Sequence, residues 1–129
     1  MIDRNMLEQA RAVHRQAVEM MYEGTCTIYE KKGITDPKIK ITSQREIPVY
    51  EEISCNLSFS KVLPVEKQSE EYKQEQVVKL FLPPEINVKP GSKIVVTQNN
   101  VTEVYKMSSL AAVYTSHQEI VLDAWEGWT

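Results

Sequence analysis

The chain has 129 residues, a net charge of −3 and a pI of about 5.5, with 42% hydrophobic and 26% charged residues. That is the length and composition of one globular unit with a modest core. A mildly acidic balance argues against a protein that wraps phosphates or docks on anionic membranes, because both need clustered Lys and Arg. No apolar run approaches the roughly 18–20 residues needed to span a bilayer. Met1–Asn5 leads into a charged amphipathic stretch rather than the apolar block of a signal peptide, so the expected compartment is a cytoplasm.

From Asp3 to Glu23 the sequence predicts a helix. Met6, Ala10, Val13, Ala17 and Met20 recur at spacings of three and four, with Asp3 placed to cap the start and Gly24 to stop the end. The stripe is expected to cover one side of a sheet; the sharper alternative is that part of it touches another chain. After Gly24 the period becomes two. Thr25–Lys31 sets Cys26 and Ile28 against Thr25, Thr27 and Tyr29, and Gly33–Lys38 reads as a turn or loop from its Gly and Asp-Pro signals. A second β region spans about 40–60. In it Cys55, Leu57 and Phe59 are expected on a core face, opposite the small polar residues Ser54, Asn56, Ser58 and Ser60.

Residues 62–76 break the pattern. The segment is polar and long for a hairpin connection, and loops of that length are often functional or mobile. Glu66, Lys67, Glu70, Glu71, Tyr72 and Lys73 make up its charged centre. It is expected to be mobile in an isolated subunit and ordered only by neighbouring subunits, because it holds too little apolar surface to offset its ordering entropy. Strand patterning returns at Val77–Leu82 and stops at Pro83-Pro84. Lys89-Pro90-Gly91-Ser92 predicts a tight turn, and Asn99-Asn100 a two-residue hairpin between Ser92–Gln98 and Val101–Lys106. A last strand covers His117–Ala124, before Trp125 and Trp128. The expected fold is mainly β: one domain over 1–129, with a helix at 3–23 and a small antiparallel β-barrel at 25–129 that carries a long projecting loop.

Catalytic chemistry has little to stand on. His14 and His117 lie far apart in sequence, and neither has a recognisable activating setting. Cys26 and Cys55 are 29 positions apart with no Cys-x-x-Cys pair, which fits buried free thiols better than a zinc site, although a disulfide between neighbouring strands stays open. The four glycines build no phosphate-cradling loop. The acidic pairs Glu51-Glu52 and Glu70-Glu71 read as solvated faces. No catalytic residue, cofactor or metal is expected, nor a small-molecule substrate.

Several stretches carry a resemblance. They are Met21–Tyr29, Cys55–Ser60, Gln76–Leu82 continuing through Lys89–Gln98, and Tyr114–Leu122. Together they resemble the head-closure (head-completion or stopper) proteins of long-tailed phages of Gram-positive bacteria and of PBSX-type defective prophages. The likeness covers most of the chain from about Met20, and its motifs are turns and strands. It implies a β-barrel subunit that forms a homo-oligomeric ring between a portal–adaptor and a tail-completion protein. Such a ring is assembled in the bacterial host cytoplasm and sits in the virion neck. Channel DNA passes through it without specific binding, and the loop corresponding to 62–76 helps close the channel. The helix is longer than a minimal barrel of this kind has. A tail-terminator ring protein is the nearest alternative, and a barrel-type binding adaptor outside phages a further one.

Overall fold

A computed structural model describes residues 3–62, 75–108 and 110–128. Among the described residues one helix, α1 (Arg4–Glu19), precedes seven strands: β1 (Gly24–Thr35), β2 (Thr42–Val62), β3 (Glu75–Leu82), β4 (Lys93–Gln98), β5 (Val101–Met107), β6 (Ala112–Val113) and β7 (Gln118–Ala124). The architecture is mainly β, antiparallel throughout, with a helix at its start.

The strands pair in the order β3-β2-β1-β4-β5-β7-β6, and β3 also pairs with β7. Hydrogen bonding therefore runs in a closed circuit through six strands, with β6 a short appendage on β7. Closure removes most exposed sheet edges, which otherwise template unwanted pairing. One residue in two points inward along each strand. The inward set is Cys26, Ile28, Cys55, Leu57, Leu80, Leu82, Ile94, Val96, Met107, Ile120 and Leu122, with Val88 from the β3–β4 connection.

Local chemistry explains the turns. Ser92 N–H donates to the Lys89 carbonyl at 3.1 Å while Gly91 sits at φ +85°, the left-handed position a glycine takes without strain. Asn99 and Asn100 have φ of 53° and 63°, the pair of positive angles that matches a two-residue turn to the strand twist. Gln118 is buried, and its amide donates to the carbonyls of Pro83 (2.8 Å) and Ile86, so a β7 side chain holds the β3–β4 connection.

Several expectations need correction. The helix ends at Glu19, not Glu23. Gly24 does not stop it; Gly24 is buried at the start of β1, where an added Cβ would lie 2.8 Å from Gln98 Oε1. Close backbone approach, not helix termination, is what this glycine provides. Only the first half of the expected Gly33–Lys38 loop is strand: β1 and β2 stay paired out to Thr35↔Thr42, and the chain turns from Asp36, as expected. The ends of the expected 62–76 loop are also strand, Val62 pairing with Glu75. Finally, Cys55 and Leu57 are buried as expected, but Phe59 is 53% exposed. Phe59 shares their side of β2 yet lies beyond the last core layer.

Candidate assembly surfaces

The helix is the first candidate. Asp3 caps it by accepting from Met6 N–H at 2.8 Å. No residue of α1 is buried. Met6, Leu7 and Val13 are exposed, as are Met20 and Met21 just beyond. The stripe does not cover the sheet. What ties the helix down is its last turn. Arg15 donates from Nε to Glu19 at 2.8 Å and from its other end to Glu85 in the β3–β4 connection. These bonds raise the Arg15 pKa, Glu19 first, and the Arg15 guanidinium holds Glu85 below the usual carboxylate range. Beneath them Tyr22 is pushed up to about 12, chiefly by burial and then by Glu19. Its hydroxyl is enclosed without a hydrogen-bond partner among the described residues.

A second candidate is the ribbon formed by the outer halves of β1 and β2. Every residue from Lys31 to Glu46 is exposed, with Ile34, Ile39 and Ile41 around its tip. Its root is fixed by two ion pairs, Lys89–Glu30 at 3.7 Å and Lys93–Glu46 at 2.6 Å. The Lys93 ammonium also lies 5.5 Å from the ring centroids of both Tyr29 and Trp125.

A third is a hollow of about 180 Å³ lined by Leu57, Phe59, Val101 and Tyr105, with Gln98, Asn99 and Glu103 at its polar margin. Gln98 grips β2 there: its Oε1 accepts from Leu57 N–H at 2.8 Å and its Nε2 donates to Leu57 O at 3.2 Å. The small polar residues expected to face outward do so only in part, Ser54 and Ser60 being exposed and Asn56 and Ser58 half-buried.

The loop residues Glu66, Lys67, Glu70, Glu71, Tyr72 and Lys73 lie outside the described residues. Cys26 and Cys55 are buried free thiols on facing strands. A hydrogen bond with Cys55, then burial, pushes the Cys26 thiol up. His14 is exposed on the helix. His117 has a setting the sequence did not reveal. Its Nδ1 is 2.9 Å from Ser116 Oγ, its Nε2 is 3.3 Å from Glu119, and its ring stacks on Tyr114 at 5.0 Å between centroids. The i, i+2 spacing of His117 and Glu119 on a strand was the available signal. Ser116 is buried and meets the ring at its Nδ1 edge, so the trio fastens the chain just before β7. Among the described residues no group of three or more His, Cys, Asp or Glu could hold a metal, and no helix is long and apolar enough to cross a membrane.

No family model and no curated protein matches the chain. A solved structure similar to it is that of the protein xkdH of the phage-like element PBSX from Bacillus subtilis, at 16% identity and a TM-score of 0.48, with 78% of this chain and 91% of that chain covered. Likeness at that level leaves the assembly role to be argued from the chain's own surfaces.

Proposed function

We propose that the chain is a structural head–tail connector subunit of a phage or prophage, one copy of a head-closure ring that joins the portal–adaptor to the tail and retains packaged DNA. In this reading the closed strand circuit is a small β-barrel. The subunit works by contact, without a catalytic residue, cofactor or small-molecule substrate. Assembly takes place in the host cytoplasm, and the finished ring sits in the virion neck.

The observation that carries an assembly role is the open apolar face of α1. A 16-residue amphipathic helix with no buried residue gains little from its own subunit. Contiguous exposed apolar surface on a folded chain marks an interaction site. The neck as its location rests on the resemblance of the Met21–Tyr29, Cys55–Ser60, Gln76–Leu82 and Lys89–Gln98 stretches to head-closure proteins. The test is to omit the chain from the parent element and image the particles. Heads that fill, fail to hold tails and lose DNA are expected. Particles with joined tails and retained DNA would refute the reading.

A further inference from the structure

Net charge is not spread evenly over this chain. Between Lys31 and Arg45 the ribbon carries Lys31, Lys32, Lys38, Lys40 and Arg45 against a single acid, Asp36, although the whole chain has a net charge of −3. The acids at the root, Glu30 and Glu46, already face Lys89 and Lys93. Pairing fixes which cations share a side. Lys32 lies opposite Arg45 and Ile34 opposite Ser43, so all four project from one face. Like charges directly across a strand pair repel, so this pair lowers the ribbon's own stability. Alternation along β1 runs Cys26, Ile28, Glu30, Lys32, Ile34. The basic face is therefore the continuation of the core-facing side, left open where the ribbon passes beyond the strand circuit. Lys38 lies by the same face, sharing a concavity with Ile34, Ser43 and Arg45.

The complement lies on the outer wall of the same chain. Register passes from Cys26↔Ile53 to Ile28↔Tyr50, so Thr27 alone stands against Glu51 and Glu52. This is a β-bulge. Glu52 takes a φ of 48°, a strained angle for a residue with a side chain, while its N–H donates to Thr27 Oγ1 at 3.3 Å. The two exposed carboxylates border a hollow shared with Thr27 and Tyr29.

We propose that the basic face of the ribbon, Lys32, Arg45 and Lys38 around Ile34, docks on the Glu51–Glu52 bulge of a second copy of this chain. An inward-facing arm meeting an outer wall is a head-to-tail contact, the kind that closes into a ring when its rotation allows. The ribbon is about 20 Å long at roughly 3.3 Å per residue, enough to reach across a neighbouring strand pair. An isoleucine at the centre of the basic face suits a protein surface better than a phosphate backbone. The inference deepens the proposed function by naming the contact between subunits, and it rests on that reading's ring.

The test uses the full chain, in sedimentation velocity over a concentration series. Lys32→Glu with Arg45→Glu, and separately Glu51→Lys with Glu52→Lys, should each weaken self-association at least about tenfold, roughly the loss of one good ion-pair contact. All four positions are exposed, so circular dichroism and the thermal midpoint should stay as in the unaltered chain. Mixing the two variants should restore assembly, because each ribbon then meets an opposite charge on its neighbour; the quadruple charge-swapped chain should assemble alone. Assembly of either variant at full strength, or no rescue on mixing, overturns the contact and leaves the ring itself standing. An unaltered chain that stays monomeric at every concentration overturns both. Duplex DNA binding that is lost in the ribbon variant, with self-association intact, would instead give the ribbon to nucleic acid and overturn the contact.

Discussion

Gln118 offers the most direct check on how the strand circuit holds its connections. It is 1% exposed, and its amide donates to the Pro83 and Ile86 carbonyls. Gln118→Leu keeps the approximate shape and removes both donors. The Pro83 carbonyl still accepts from Ile86 N–H at 3.3 Å, so it loses one of two partners. The Ile86 carbonyl loses its side-chain donor outright. At about 1 kcal/mol for the first and about 2 kcal/mol for the second, less about 1 kcal/mol for a more apolar side chain, the net cost is about 2 kcal/mol. With a urea slope of about 2 kcal/mol/M for a chain of this size, the unfolding midpoint should fall by about 1 M with the slope unchanged. Gln118→Glu supplies the control. A carboxylate facing two carbonyl oxygens has its pKa raised in the folded state, so that state binds the extra proton. Its destabilisation should be largest at neutral pH and should recede as pH falls through the raised pKa. A Gln118→Leu variant as stable as the unaltered chain would mean that the buried amide is not what holds the β3–β4 connection.

Three further outcomes follow from features described above. Leu57→Ala should cost about 2–4 kcal/mol in denaturant titration and Phe59→Ala less than about 1 kcal/mol, because Leu57 is enclosed and Phe59 half open; equal costs would place Phe59 in the core. Cys26 should resist alkylation in the folded chain and react on unfolding, since hydrogen bonding to Cys55 and burial keep its thiol protonated; fast modification of folded protein at neutral pH would contradict this. Glu85→Gln should raise hydrogen exchange in α1 while leaving the strands protected, and acid should do the same. Glu85 has a lowered folded-state pKa, so its contribution is present at neutral pH and disappears as pH falls through and below the ordinary carboxylate range, while the raised pKa of Arg15 keeps it charged throughout. Helix protection that ignores both changes would dispose of the anchor.

What the sequence revealed depends on how local the cause was. The Lys89–Ser92 and Asn99-Asn100 turns were legible because φ preferences act within a few residues. The inward set at Cys26, Ile28, Cys55 and Leu57 was legible because alternation assigns sides. Alternation does not assign depth, and Phe59 shows the difference: correct side, wrong layer. The ribbon was hidden by Gly33 and Asp36-Pro37, which read as loop. Gly33 instead fits in the ladder opposite Gln44, where an added Cβ would lie 3.1 Å from the Gln44 amide. The helix stripe was visible, but what it faces is a tertiary fact. Cation clustering between Lys31 and Arg45 could have been counted from the sequence; its confinement to one face needed the register. The charged loop centred on Glu66–Lys73 lies outside the described residues.

The closed circuit also sets the order in which this molecule can be made. Among the described residues β7 alone joins β3 to β5, so those two strands present bare backbone edges until the polypeptide has been synthesised past Ala124. The β1–β2 and β4–β5 hairpins join sequence neighbours and can form in microseconds, whereas the β3–β7 seam joins residues some forty positions apart and must bear the larger loop-closure entropy. During synthesis the nascent chain is thus an open, adhesive sheet. A crowded ribosome cluster is where such a chain would stick to its copies. Slow translation through the last strand lengthens that exposure, and chains ending before Gln118 never leave it.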